Sequence, residues 1–235
     1  ADMIFTQQDD HPEAFRQMGF NRLRVAGDTR IDRVINLPHE ADPLIPDSLK
    51  KSGTFDLIAG STWPEDERIL IPVILQMGLR TIIAPHDVRK ENIDRLVKSI
   101  GQPVTRLTEL TEAPLTTKIL VVDSIGLLAY LYALGKIAYI GGGFGKGIHN
   151  ILEPMAHHKP VLFGPKYQKF PEAIGIMQNG GGWCVKNEIE LKQHLSELLL
   201  VPDNVAGRNA GRYIEQHRGA TSVIATYIKE SIPFG

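Results

Sequence analysis

A chain of 235 residues with 43% hydrophobic and 23% charged side chains can bury one sizeable core without covalent staples. Its net charge of −1 gives no bulk field for nucleic acid, and its single cysteine, Cys184, excludes an internal disulfide or a cysteine-based zinc site. No charged-then-apolar leader opens it, and the most apolar stretch, residues 119–144, is broken by Asp123, Lys136 and several glycines. That stretch reads as strand, helix and strand, not as a membrane span, so the chain is expected to be soluble and suited to a reducing compartment.

The opening residues 1–7 resemble the middle of a strand and its exit, as in a piece of a longer polypeptide. The pattern then predicts a strand at 22–26 and a helix at 28–36, followed by an irregular Pro- and Asp-rich excursion over 37–52. A strand at 55–59 leads into a helix at 64–77, where Pro64 suits the first helical position and Glu65, Asp66 and Glu67 favour the dipole. Next come a strand at 79–84, a helix at 90–100, a short strand near Val104, a strand at 118–122 and a helix at 125–134. Strands at 137–140, 160–163 and 182–185 alternate with helices at 150–157 and 171–178. Three helices, 188–200, 204–217 and 221–231, close the chain. Apolar strands separated by helices predict an α/β fold: a doubly wound, Rossmann-like parallel sheet covered on both faces.

Ligands of such a sheet sit at the carboxyl ends of its strands, and the residues there are polar or glycine. The densest group is Gly141, Gly142, Gly143, Phe144 and Gly145, followed by Gly147, His149, Asn150 and Glu153. Five glycines in seven residues allow close backbone approach and free amides, and a helix starting near Asn150 could hold an anion. Asn150 and Glu153 share a helix face, with Glu153 placed to accept from the two hydroxyls of a ribose; a plain capping box explains the same pair. Gly60, Ser61 and Thr62 form a second small-residue turn, suited equally to an anion or to a simple helix cap. Trp63 reads as packing and His86 as a surface-loop histidine. His149, His157 and His158 are too far apart in the pattern for a metal site. The chain shows no nucleophile elbow, no phosphate-binding Walker loop and no evident general base.

Four blocks carry a family resemblance: Gly27-Asp28-Thr29-Arg30-Ile31-Asp32-Arg33-Val34; residues 60–67, Gly-Ser-Thr-Trp-Pro-Glu-Asp-Glu; the run 137–154 through the glycine loop to Glu153-Pro154; and residues 161–170, Val-Leu-Phe-Gly-Pro-Lys-Tyr-Gln-Lys-Phe. In order and spacing they resemble the C-terminal half of 3-deoxy-D-manno-octulosonic acid (Kdo) transferases, GT-B enzymes with two Rossmann-like domains facing a cleft. The resemblance implies a donor-binding domain of an inverting transferase that moves Kdo from CMP-Kdo to lipid A precursor, in lipopolysaccharide synthesis at the cytoplasmic face of the bacterial inner membrane. It implies no metal or cofactor and no catalytic base here; the base, the lipid acceptor and the membrane contact belong to an N-terminal half, without which the chain is expected to be inactive. On this reading residues 1–20 are linker, 21–219 the donor domain and 220–235 a helix returning to the other half, its apolar face (Val223, Ile224, Tyr227, Ile228) left exposed or paired with another copy. Pro85, Gly141 to Gly143, Asn150 and Glu153 would contact the CMP moiety, with Ser61 and Thr62 near the phosphate or the Kdo carboxylate. Many family members have Pro-Arg where this chain has Pro85-His86, which leaves Arg89 and Lys90 as the nearest permanent cations. The alternatives are a UDP-sugar transferase or epimerase domain of the same architecture, and a non-catalytic binding domain.

Overall fold

The computed structural model describes residues 3–7, 11–201 and 204–231. Seven parallel strands form the central sheet: β3 (Phe55–Thr62), β4 (Thr81–Pro85), β5 (Val104–Arg106), β6 (Ile119–Val121), β7 (Gly135–Ile140), β8 (Val161–Phe163) and β9 (Gly182–Cys184), in spatial order β5-β6-β4-β3-β7-β8-β9. Their side chains alternate between two cores. Phe55, Ile58, Ile82, Ala138, Ile140, Val161 and Phe163 face one, while Leu57, Ala59, Ile83, Val121, Ile137, Tyr139 and Leu162 face the other. Helices cover both faces, as strands without a polar side require.

Within this sheet the chain runs from β3 to its neighbour β4, out to the edge strand β5, back to β6 between β4 and β5, and then to the far side of β3 with β7. The order therefore reverses between β3 and β7, which is where an open α/β sheet forms its crevice. Helix α5 (Pro64–Met77) leaves β3 and ends on Gly78 in the left-handed conformation, φ 64°; α6 (Lys90–Ile100) ends in the same way on Gly101. After β7, helix α8 (Leu152–Ala156) precedes β8 and α9 (Pro171–Gln178) precedes β9; α10 (Glu188–Leu200), α11 (Val205–His217) and α12 (Ala220–Ser231) follow.

Three expectations change. The strand predicted at 22–26 is β2 (Leu23–Val25), which lies outside the central sheet and pairs in parallel with β1 (Ile4–Thr6). Its alternating Arg-Leu-Arg-Val sequence leaves Arg24 and Val25 exposed, unlike a strand buried on both faces. The excursion over 37–52 is mostly helical, with α3 (Leu37–Leu44) and α4 (Asp47–Lys51). Leu37, Ala41, Ile45 and Leu49 are all buried in the first core, and their spacing of four is the missed signal. The helix predicted at 125–134 begins only at Leu128, after Gly126 turns the chain with φ 107°, and tightens into a 3-10 turn at Tyr132–Leu134.

Helix α12 is held by Asp32, whose carboxylate accepts from the amides of Gly219 and Thr221, both at 2.6 Å. Those two bonds draw its pKa down against the opposing effect of partial burial. Tyr227 meets Phe5 edge-on at 5.5 Å, so the helix's apolar face is half-covered by the chain itself, with Ile228 remaining 40% exposed. Residues 1, 2, 8–10, 202, 203 and 232–235 of the expected linker, donor domain and returning helix lie outside the described residues. Among the described residues no helix is long and apolar enough to cross a membrane.

Candidate ligand-binding site

The carboxyl end of β3 is irregular. Register against β4 shifts between Gly60 and Thr62, and Ser61 takes φ 53°, an uncommon conformation for a residue with a side chain. The bulge turns the Thr62 side chain inward, where it is buried and donates to Glu67 Oε1 at 3.2 Å. Glu67, also buried, takes Arg95 at 2.5 Å. Ser61 stays partly exposed at the sheet edge. Of the two hydroxyls expected at an anion, that of Thr62 is spent on Glu67 and that of Ser61 has no partner among the described residues.

The loop after β7 is pinned from several sides. Gly141 donates to the Gly60 carbonyl at 2.9 Å, Gly145 and Gly147 donate to the Gly142 carbonyl, and Lys166 donates to the Gly143 carbonyl at 2.9 Å. Glycine is required by crowding of main chain on main chain. A Cβ on Gly141 would collide with the Ser61 carbonyl oxygen, one on Gly142 with the Gly147 carbonyl oxygen, and one on Gly143 would sit 2.6 Å from Gly164 Cα. Gly145 has no such neighbour closer than 3.5 Å. The amides of Gly143 and Phe144 have no acceptor among the described residues and remain available to a ligand.

One carboxylate ties this loop to α5. Asp66 is fully buried; its Oδ2 accepts from the amides of Gly142 at 2.8 Å and Trp63 at 2.9 Å, and its Oδ1 accepts from the Tyr139 hydroxyl at 2.9 Å. Three neutral donors and a helix N-terminus satisfy it without a cation. From sequence it reads only as a favourable first-turn charge.

The rim holds a second unforeseen group. Trp63 stacks on His86 with centroids 4.7 Å apart, and His86 on His149 at 4.4 Å. Trp63 Nε1 donates to His149 Nε2 at 2.9 Å. Indole is a donor only, so this nitrogen is unprotonated and the ring proton sits on Nδ1. Burial and the neighbouring His86 push the His149 pKa down, which keeps it neutral. These residues follow β3, β4 and β7, adjacent strands in the sheet; His157 and His158 lie elsewhere, His157 with its ring on the Ala129 carbonyl at 2.8 Å. Arg89 is forked on Asp87 and Lys90 is paired with Asp94, so neither cation beside His86 is unpaired. A cavity of about 300 Å³ opens between Trp63, Glu65, Gly145, Lys146, Gly147 and His149.

Beyond the loop, α8 starts at Leu152 and not near Asn150. Asn150 Oδ1 accepts from the Leu152 amide at 3.1 Å and its Nδ2 donates to Glu153 Oε1 at 3.1 Å. That is Glu153's one hydrogen-bond donor among the described residues. Burial raises its pKa above the usual value, with the Asn150 bond and distant Arg33 opposing the shift. Pro85, buried, ends β4 next to Thr62. The block at Gly27, Asp28 and Arg30 lies apart, lining a cavity of about 270 Å³ with Glu172, Tyr213 and His217; Arg30 bridges Asp28 and Glu172 there. A larger groove of about 680 Å³ runs past Ser48, Leu107 and Ser124. It contains none of the expected site residues, and the switch point between β3 and β7 is the better-founded site.

No protein-family model matches the chain. It is 28% identical over 232 residues to a 3-deoxy-D-manno-octulosonic acid transferase of Rickettsia felis, covering 92% of this chain and 48% of that protein; the chain spans about half the length of the curated relatives it matches. The C-terminal CMP-Kdo binding domain of WaaA from Acinetobacter baumannii superposes with a TM-score of 0.66 at 19% identity, over 77% of this chain and 99% of that one. Anabaena HepE in complex with UDP superposes with a TM-score of 0.60 at 16% identity, over 98% of this chain and 64% of that one. In sequence the chain is similar to the 3-deoxy-D-manno-octulosonic acid transferases, and it shares the Rossmann-like fold of the C-terminal CMP-Kdo binding domain of WaaA.

Proposed function

We propose that this chain is the donor-binding half of an inverting glycosyltransferase that moves Kdo from CMP-Kdo to lipid A precursor at the cytoplasmic face of the bacterial inner membrane. The observation that carries the reading is Glu153, a largely buried carboxylate with one side-chain donor, placed after a loop whose Gly143 and Phe144 amides are unspent. A ribose supplies the two hydroxyl donors such a carboxylate lacks. The loop amides and Ser61 face the phosphate, where fixed donors stabilise the charge that develops as CMP leaves. Pro85 and the Trp63, His86 and His149 stack wall the nucleotide at the rim. The acceptor, the membrane contact and the general base are assigned to the other half, so this half alone binds donor without transferring it. No cofactor is assigned.

Calorimetric titration with CMP and, separately, UDP tests the reading. Saturable CMP binding that is lost in Glu153→Ala and Asn150→Ala supports it; unchanged affinity in both variants refutes it. The structural likeness to Anabaena HepE in complex with UDP favours one rival, a UDP-sugar site, which predicts the reverse nucleotide preference. A non-catalytic domain that has lost its ligand predicts no binding of either nucleotide.

A further inference from the structure

Tyr132 is 1% exposed, and its hydroxyl makes no hydrogen bond among the described residues. A tyrosine buried this deeply ordinarily places its O–H on a partner. Yet no sealed side-chain oxygen or nitrogen among the described residues lacks a partner, so the trace of Tyr132 still open to the surface includes the hydroxyl. Its position is fixed. The 3-10 turn at Tyr132–Leu134 packs on both β3 and α8, and side chains of a helical turn lean toward its N-terminus, here the carboxyl edge of the sheet. The hydroxyl lies against Gly60 so closely that a Cβ there would overlap it, and Leu128 closes the side. Gly60 is thus the space in which the hydroxyl sits, one residue before Ser61. Burial, and secondarily the Glu153 carboxylate, hold the phenol well above its usual pKa, so it is a neutral donor at any working pH.

We infer that the Tyr132 hydroxyl is a ligand-binding group in the floor of the crevice, acting with Glu153 and Asn150 on a ribose hydroxyl. The ligand oxygen it meets is neutral, because the nearby Glu153 carboxylate repels a phosphate or carboxylate. The glycine at position 60 serves the same end: any side chain there would displace the hydroxyl. This inference rests on the donor-site reading above, and the experiment separates the two.

Titration of wild type and Tyr132→Phe with CMP and with 2′,3′-dideoxy-CMP is the test. The substitution removes only an unpaired hydroxyl, so the thermal unfolding midpoint stays at or above that of wild type. The variant is expected to bind CMP roughly three- to tenfold more weakly and dideoxy-CMP as wild type does. A merely structural role would weaken both ligands alike, and that result overturns the inference. Equal CMP affinity in variant and wild type overturns it too, and leaves the donor reading standing if Glu153→Gln still weakens CMP binding about tenfold or more. Failure of wild type to bind any nucleotide overturns both.

Discussion

The glycine loop and the short segment after it stand side by side, yet they spend their polar groups in opposite ways. In the loop, carbonyls and amides are taken up by the chain itself: Gly141 on Gly60, Gly142 on Asp66, Lys166 on Gly143. In the segment 150–153 and beneath it, Glu153 keeps one side-chain donor and the Tyr132 hydroxyl has no partner among the described residues. The first arrangement makes a rigid frame, since these groups are bonded before a ligand arrives, the Gly143 and Phe144 amides excepted. The second leaves capacity that only a ligand can use. Changes in the frame should therefore cost stability, and changes at the unspent groups should cost binding.

The largest expected effect is Gly141→Ala. Its methyl group meets backbone, which cannot yield as a side chain can, so destabilisation on the order of 3 kcal/mol or more is expected by urea unfolding. A wild-type midpoint would break the comparison at its stronger end. Asp66→Ala comes next. It strands the Gly142 and Trp63 amides and the Tyr139 hydroxyl in the interior, for a loss of about 2–3 kcal/mol with nucleotide affinity falling alongside. Full stability with impaired binding would instead move Asp66 into the ligand-facing group. Glu153→Gln has the smallest effect on stability, within about 1 kcal/mol of wild type, while CMP affinity drops about tenfold or more through loss of the charged acceptor.

The pH dependence sharpens the same contrast. The folded-state pKa of Glu153 lies above 4.5, so the native chain holds this proton more tightly than the unfolded chain does, and protonation here favours the fold. Binding has the opposite sign. It requires the carboxylate and weakens as pH falls through the raised pKa of Glu153. A CMP titration curve that stays flat down to pH 4.5 would remove Glu153 from the site.

The strand and helix order of the central sheet was legible because its strands are apolar without a polar face, and the glycine cluster was legible by density. Asp66 was not. Its donors lie on Gly142 and Tyr139, and an acidic residue in a first turn already has a sufficient local explanation. The Trp63, His86 and His149 stack follows from strand order, since the loops after β4, β3 and β7 must be neighbours; taken singly, each ring had an ordinary reading as packing or surface. Leu23–Val25 was placed in the wrong sheet because three residues of strand carry little information about their partner. Tyr132 was overlooked because a tyrosine in an apolar run reads as core, which its ring is.

Asp66 also separates early from late in the making of the fold. Its contact with the Trp63 amide spans three residues and can close as soon as the first turn of α5 forms. Its contact with Gly142 spans 76 residues and must wait until β7 has come alongside β3, because the entropy of so long a closure is repaid only by strand pairing. The same carboxylate is first a local helix cap and last the latch that gives the glycine loop its shape.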